Sequence, residues 1–252
     1  MRIVVLSSGS KGNTTYVESD NTKIIIDMGN SCRYVVNKLK EIGVNPKDID
    51  GIFITHTHSD HIKGLKVFLN KYHTRVYFTK EMGNELDFVL DYSIIDSNKI
   101  LLGDFSIDVI KTSHDVSSSV GYVINSSDKG LVYITDTGYI NQKYFDLLSN
   151  RDVYILESNH DIEMLNNGSY PFQLRQRILS DKGHLSNYDC SRYLSTFIGD
   201  KTKCVMLAHL SEENNTPTKA YDTLIERLEE NNQFVDKIII LEQDAISEEV
   251  LV

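Results

Sequence analysis

The sequence predicts an α/β fold. Short β-branched runs recur along its 252 residues, and stretches between them carry apolar residues at helical period. Several central runs are also apolar at nearly every position, which predicts strands covered on both faces.

Taken in order, the strand-like runs are IVVL (3–6), TTYVES (14–19), KIIIDMG (23–29), GIFITH (51–56), RVYFT (75–79), SIDVI (106–110), VGYVIN (120–125), LVYITDTG (131–138), DVYILES (152–158), CVMLAH (204–209) and KIIILEQ (237–243). Most are bounded by Gly, Asn, Asp or Ser, residues that favour turns over pleated backbone. Five segments have helical spacing. CRYVVNKLKEIG (32–43) places Val35, Val36, Leu39 and Ile42 on one face and stops at a glycine. HIKGLKVFLNKY (61–72), NQKYFDLLSN (141–150) and NYDCSRYLSTFIG (187–199) follow the same period, and PTKAYDTLIERLEENN (217–232) opens with a proline suited to a first helical turn.

An apolar fraction of 40% in 252 residues is enough to build a substantial core. No repeat, low-complexity tract or linker divides the chain, so residues 1–252 are expected to form one domain. The net charge of −10 excludes a generally basic surface for nucleic acid. It leaves room for a local positive site, because a bound metal can be the largest charge in a cleft. Cys32, Cys190 and Cys204 make an odd count without a CxxC pair, which fits reduced, buried thiols. No signal peptide and no membrane span of about 20 apolar residues is legible. A cytoplasmic location without membrane attachment is expected.

The densest chemistry is THTHSDHIKG (55–64). His56, His58, Asp60 and His61 fall within six residues of a chain that has eight histidines in all. GIFIT reads as a strand ending near His56, with a helix starting near Asp60 or His61. In extended backbone, positions i and i+2 project the same way, so His56 and His58 can grip one ion together. Asp60 and His61, at the strand-to-helix turn, can reach a second point nearby. Neutral imidazole and carboxylate suit Zn²⁺, Mn²⁺ or Fe. His114, Asp136 and His209 each follow an apolar strand-like run, so strand ends could bring them to the same rim. Asp27 closes IIID and is better placed to orient a ligand than to bind metal.

HTHSDH together with His114, Asp136 and His209 resembles the metallo-β-lactamase superfamily over essentially the whole chain. The resemblance implies an αββα sandwich, two β-sheets packed face to face with helices on both outer faces. It implies that His56, His58 and His114 hold one divalent ion and Asp60, His61 and His209 a second. Asp136 would bridge them, with Asp27 behind. Two dications against the charges of Asp60 and Asp136 leave about two positive charges for a hydroxide and a substrate. That surplus suits in-line displacement at a phosphodiester by a metal-bridged hydroxide; it would polarise a neutral lactam or thioester as well, so charge alone does not choose between them.

LESNHD (156–161) and KGHLSN (182–187) resemble nucleases of the ribonuclease Z branch. That resemblance implies that His184 protonates the leaving group and Glu157 orients it. With the ligand Asp60, these two make the expected catalytic set. SSGSKGNTTYV, YPFQLRQRILSDKGHLSN and LAHLSEENN further resemble the bacterial YycJ/WalJ-type subgroup, which implies a DNA exonuclease working 5′ to 3′ and linked to DNA repair. Ser10, Lys11 and Asn13 in the first loop, and the basic Arg175, Arg177 and Lys182, are the candidate phosphate contacts. The large insertion of β-CASP nucleases and the flexible arm of tRNA-processing enzymes are missing. Hydrolysis of a small thioester, lactone or cyclic phosphodiester is the alternative activity; a non-catalytic metal-binding module is the other class. His73 and His160 are expected to be structural or solvated, and Tyr139 and Tyr170 to be packing residues more than base-stacking ones.

Overall fold

The computed structural model describes residues 1–252 and contains two seven-stranded mixed sheets. The first half of the chain lays down β1 (Arg2–Ser7), β2 (Thr14–Glu18) and β3 (Lys23–Ile26) as an antiparallel meander. β4 (Gly51–Phe53), β5 (Val76–Thr79) and β6 (Tyr92–Ile95) then follow, each parallel to its predecessor. The second half repeats the plan. β7 (Lys99–Leu102), β8 (Phe105–Lys111), β9 (Val120–Ser126) and β10 (Lys129–Ile134) are antiparallel, and β11 (Val153–Glu157), β12 (Cys204–Ala208) and β13 (Lys237–Ile240) continue in parallel. β14 (Val250–Leu251) returns to pair with β1.

Parallel neighbours need long crossovers, and the helices supply them. α1 (Cys32–Glu41) joins β3 to β4; α2 (Ser59–Ile62) and α3 (Leu65–Tyr72) join β4 to β5. α4 (Phe145–Leu148) joins β10 to β11. α5 (Ile162–Asn167), α6 (Phe172–Ile178) and α7 (Asn187–Phe197) lie between β11 and β12, and α8 (Pro217–Glu230) leads to β13. Side-chain oxygens of Ser31, Ser186 and Thr216 cap α1, α7 and α8 by accepting from free first-turn amides.

Alternation along the central strands builds the layers. Leu131, Tyr133, Val153, Ile155, Cys204 and Met206 join the core that contains both sheets and α1. Their neighbours Val132, Ile134, Tyr154, Leu156, Val205 and Leu207 face the other way, into a second cluster with α7 and α8. β11 and β12 are therefore buried at every position, as their unbroken apolar runs predict. The result is the expected sandwich of two sheets between helical layers. No helix is long and apolar enough to cross a membrane.

Several boundaries differ from the sequence reading. β4 ends at Phe53, not near His56, because Ile54 and Thr55 bond across to the other sheet: Tyr122 Oη donates to Ile54 O at 2.5 Å and Val120 N to Thr55 O at 2.9 Å. The segment 61–72 is two helices broken before Leu65, where a Cβ on Gly64 would lie 2.2 Å from Asn30 O. β6 and β7 escape the reading because these four-residue edge strands have no buried position and half-bury only alternate ones. The short helices α5 and α6 were not expected either.

Candidate metal centre and its surroundings

β3 and β4 in one sheet, and β8, β10, β11 and β12 in the other, bring their carboxyl ends to one rim. Ligands of open α/β sheets gather at such ends. Asp27, the 56–61 turn, His114, Asp136, Glu157 and His209 all lie just there. Asp27, Asp136 and His209 take left-handed backbone, with φ of 59°, 53° and 53°. This conformation is uncommon outside glycine and clusters at functional sites. It turns each chain sharply off its strand.

Three overlapping groups of donors result. His56, His58 and His114 form one, Asp60, His61, Asp136 and His209 the second, and Asp136, Glu157, His184 and His209 the third, each with ligand atoms within 4.8 Å of one another. The turn is locked from behind by backbone bonds: Asn13 N donates to Asp60 O, Met28 N to His61 O and Gly64 N to Met28 O. Gly29 is required there, since a Cβ would sit 1.6 Å from Asp60 O.

Hydrogen bonds on the far nitrogen aim several of the rings. His61 Nδ1 donates to Asp27 Oδ2 at 2.8 Å, and Asp27 also accepts from Thr55 N and Oγ1. His209 Nδ1 donates to Glu157 Oε1 at 3.0 Å, and His114 Nδ1 to Gly183 O at 3.2 Å. The Nε2 atoms of His209 and His114 are thereby left to the centre, and that of His61 faces it with Asn13 Nδ2 3.0 Å away. His114 Nε2 and His58 Nδ1 face each other at 3.3 Å, and Asp136 Oδ2 lies 3.2 Å from His61 Nε2.

A metal is tested by what these atoms lack. His56 Nε2, Asp136 Oδ2 and His209 Nε2 are buried with no hydrogen-bond partner. Leaving such groups unsatisfied costs about 1–3 kcal/mol each, and three of them spread over two adjoining donor groups are what cation sites require before they are filled. Five imidazoles with two carboxylates form a nitrogen and oxygen set without thiolate, suited to divalent ions such as zinc or manganese. The residues present therefore fit divalent metal. An Asp27→Ala substitution is expected to leave the fold intact and weaken metal affinity about 10–100-fold. Titration of metal into the stripped variant measures this; unchanged affinity would show that Asp27 does not direct His61.

Glu157 is fully buried at the end of β11. Its carboxylate accepts from His184 Nδ1 at 2.6 Å, His209 Nδ1 at 3.0 Å, Thr137 N at 3.0 Å and Leu185 N at 3.2 Å. Burial opposes its charge, but the neighbouring His184 charge and these bonds prevail and hold its pKa down at about 2. Burial likewise disfavours the His184 cation; Glu157 outweighs it and raises that imidazole above its ordinary value. His184 itself is placed by the end of α6, through His184 N to Ile178 O at 3.0 Å. Gly183 allows this approach, because a Cβ would meet Ile178 O at 2.0 Å.

A cavity of about 310 Å³ opens over the centre. Ser10, Arg177 and Lys182 of the expected phosphate contacts line it, with His184. Lys11 and Arg175 do not. Lys11 is spent on Glu212 at 2.8 Å, and the Arg175 guanidinium bonds Asn166 O. Asn13 is buried and turned inward, its Nδ2 3.0 Å from His61 Nε2 and 3.3 Å from Asp60 Oδ2, so it braces the ligand turn instead of facing solvent. Asp115, which the sequence does not single out, bonds Arg177 and stands 3.5 Å from His114 Nε2 and 3.9 Å from His58 Nε2. Its only signal is adjacency to His114. Tyr170, expected to be a packing residue, lines the cavity. His160 is buried, and burial pushes its pKa down to about 4, as for a neutral structural ring.

The metallo-beta-lactamase superfamily profile matches residues 8–159. The chain belongs to the metallo-β-lactamase superfamily. Within that superfamily it is 37% identical over 233 residues to exodeoxyribonuclease WalJ of Streptococcus pneumoniae, an alignment covering 89% of this chain and 87% of that protein. It is 36% identical over 233 residues to exodeoxyribonuclease YycJ of Bacillus anthracis, covering 90% and 88%. The metallo-β-lactamase fold protein YhfI from Bacillus subtilis superposes with a TM-score of 0.74 at 18% identity, over 98% of this chain and 99% of that one. That likeness concerns the fold.

Proposed function

We propose that this superfamily member is a two-metal phosphodiesterase acting on DNA ends, an exodeoxyribonuclease working 5′ to 3′, with residues 1–252 as one catalytic unit. The observation that carries the reading is its similarity, over nearly nine-tenths of the chain, to relatives that are exodeoxyribonucleases. The donor set and the Glu157–His184 pair support it.

In this reading His56, His58 and His114 hold one ion, Asp60, His61 and His209 the other, and Asp136 both. Zinc or manganese, bound there, supplies polarisation of a phosphoryl oxygen and a water acidified toward neutral pH. Asp27 and Glu157 orient His61 and His209. Glu157 holds the proton on His184 Nδ1, which leaves Nε2 to donate to the departing oxygen. Ser10 and Lys182 sit on the cavity wall, where they can position flanking phosphates, while Arg177 beside them is paired with Asp115. Three free, buried cysteines suit a reducing compartment, and we place the protein in the cytoplasm, in DNA repair.

The deciding experiment is digestion of DNA labelled at either end by chelator-stripped protein, with and without added Zn²⁺ or Mn²⁺. Cleavage restored by metal, with a 5′ label released first as a short product, is the expected result. A metal-loaded protein that leaves DNA intact while hydrolysing a small chromogenic ester would overturn it.

A further inference from the structure

We propose that a second groove beside the metal centre carries the next nucleotides of a single DNA strand, with Lys80, Lys111 and Lys182 meeting its phosphates. This rests on the nuclease reading and extends it from the bond that is cut to the strand that is held. The groove has a volume of about 670 Å³, roughly twice that of the cavity over the centre, and the two share His114 and Lys182 in their walls. A strand whose scissile phosphate lies by the histidines can therefore continue across the Lys182 boundary without leaving the surface.

Charge selects this path. The chain carries −10 overall, so a polyanion must find a local exception. Lys80, Lys111 and Lys182 are exposed groove residues, and none of the three is drawn into an ion pair. By contrast, Lys11 and Arg177 are held by Glu212 and Asp115. Glu81 and Asp96 are the acidic residues of the lining and Glu85 stands behind Ser117, so three lysines meet three carboxylates and the groove is neutral on a chain that carries −10. The Ser118 hydroxyl accepts from Thr79 Oγ1 and keeps its own proton to donate, whereas Ser117 is spent on Glu85; Ile95 and Val116 offer apolar wall. Apolar wall is of use to unpaired bases, whose faces are free; a duplex keeps those faces stacked.

The test compares wild type with Lys80→Ala/Lys111→Ala on 5′-labelled single strands two to eight nucleotides long. For wild type, kcat/KM should climb with length. For the double variant, the advantage of the longest strand over the dinucleotide should fall about tenfold. Its kcat/KM on the longest strand should also respond less steeply to salt, by roughly 1.4 in the log–log slope for two lost phosphate contacts. Thermal midpoint and metal content check that the variant is folded. If DNA is cleaved but length dependence and salt slope match wild type, the groove is an ordinary solvent face and the nuclease reading stands. If wild type cleaves no DNA, the nuclease reading falls and the groove with it. An equal loss on a cross-linked duplex that cannot unpair would overturn the single-strand path.

Discussion

Asp136→Ala is expected to lose metal and to slow DNA hydrolysis by at least ~10³-fold. Asp136 is buried at the turn after β10, with Oδ2 3.2 Å from His61 Nε2 and Oδ1 3.3 Å from His209 Nδ1. Two dications at the ~4 Å usual for such sites repel each other by roughly 17 kcal/mol, even at an effective dielectric of about 20. The imidazoles carry no charge to offset this. Asp60 and Asp136 are the carboxylates of the donor set, and only Asp136 is proposed to serve both ions. Its removal therefore costs the pair more than the loss of any one histidine. A loss of several kcal/mol in transition-state stabilisation corresponds to ~10³-fold in rate. Elemental analysis should find the metal content per chain falling from two towards one or less, with the circular dichroism spectrum unchanged. Full metal content and undiminished cleavage would remove Asp136 from the centre.

Much of this arrangement is legible in the residues because strand ends are legible. The apolar runs before Asp136 and His209 are buried on both faces, so their carboxyl ends are marked where polar residues begin; the run before His114 alternates buried and half-buried positions and ends in KTS. HTHSDH announces itself by density. The Glu157 and His184 loops were reached through the family likeness, and the structure shows them bonded at 2.6 Å. What stayed hidden depends on long-range contacts. Asn13 and Lys11 are two residues apart in one loop, yet one is buried under the ligand turn and the other pairs with Glu212, 201 positions away. Arg175 and Arg177 share a short helix, but only Arg177 faces the cavity. A cluster of basic letters does not reveal which helix face meets the site. Asp115 carries no signal of its own in the sequence, because an acid beside a histidine is unremarkable until Arg177 and two imidazoles are found around it.

His184→Ala is expected to keep both metals and still slow DNA cleavage by about 10²–10⁴-fold, the range for one general acid. His184, Glu157, Asp136 and His209 have donor atoms close enough to hold a metal, so a ligand role must be distinguished from an acid role. The hydrogen bonds favour the acid: His184 Nδ1 and Glu157 Oε1 are engaged with each other, and the remaining oxygen of Glu157 is taken by backbone amides. Unchanged metal content in the variant would agree. A diester with a nitrophenolate leaving group, which departs without a proton, should lose far less rate than DNA. The pH profile gives a further sign. The acid must be protonated, so cleavage falls as pH rises through the pKa of His184, which Glu157 lifts above the ordinary ~6.5. Glu157→Gln removes that charge and leaves burial in command, so the same limb should move to lower pH. His184→Ala should abolish the limb. Equal slowing of DNA and nitrophenyl diester, or a limb that survives His184→Ala, would assign the proton to another group.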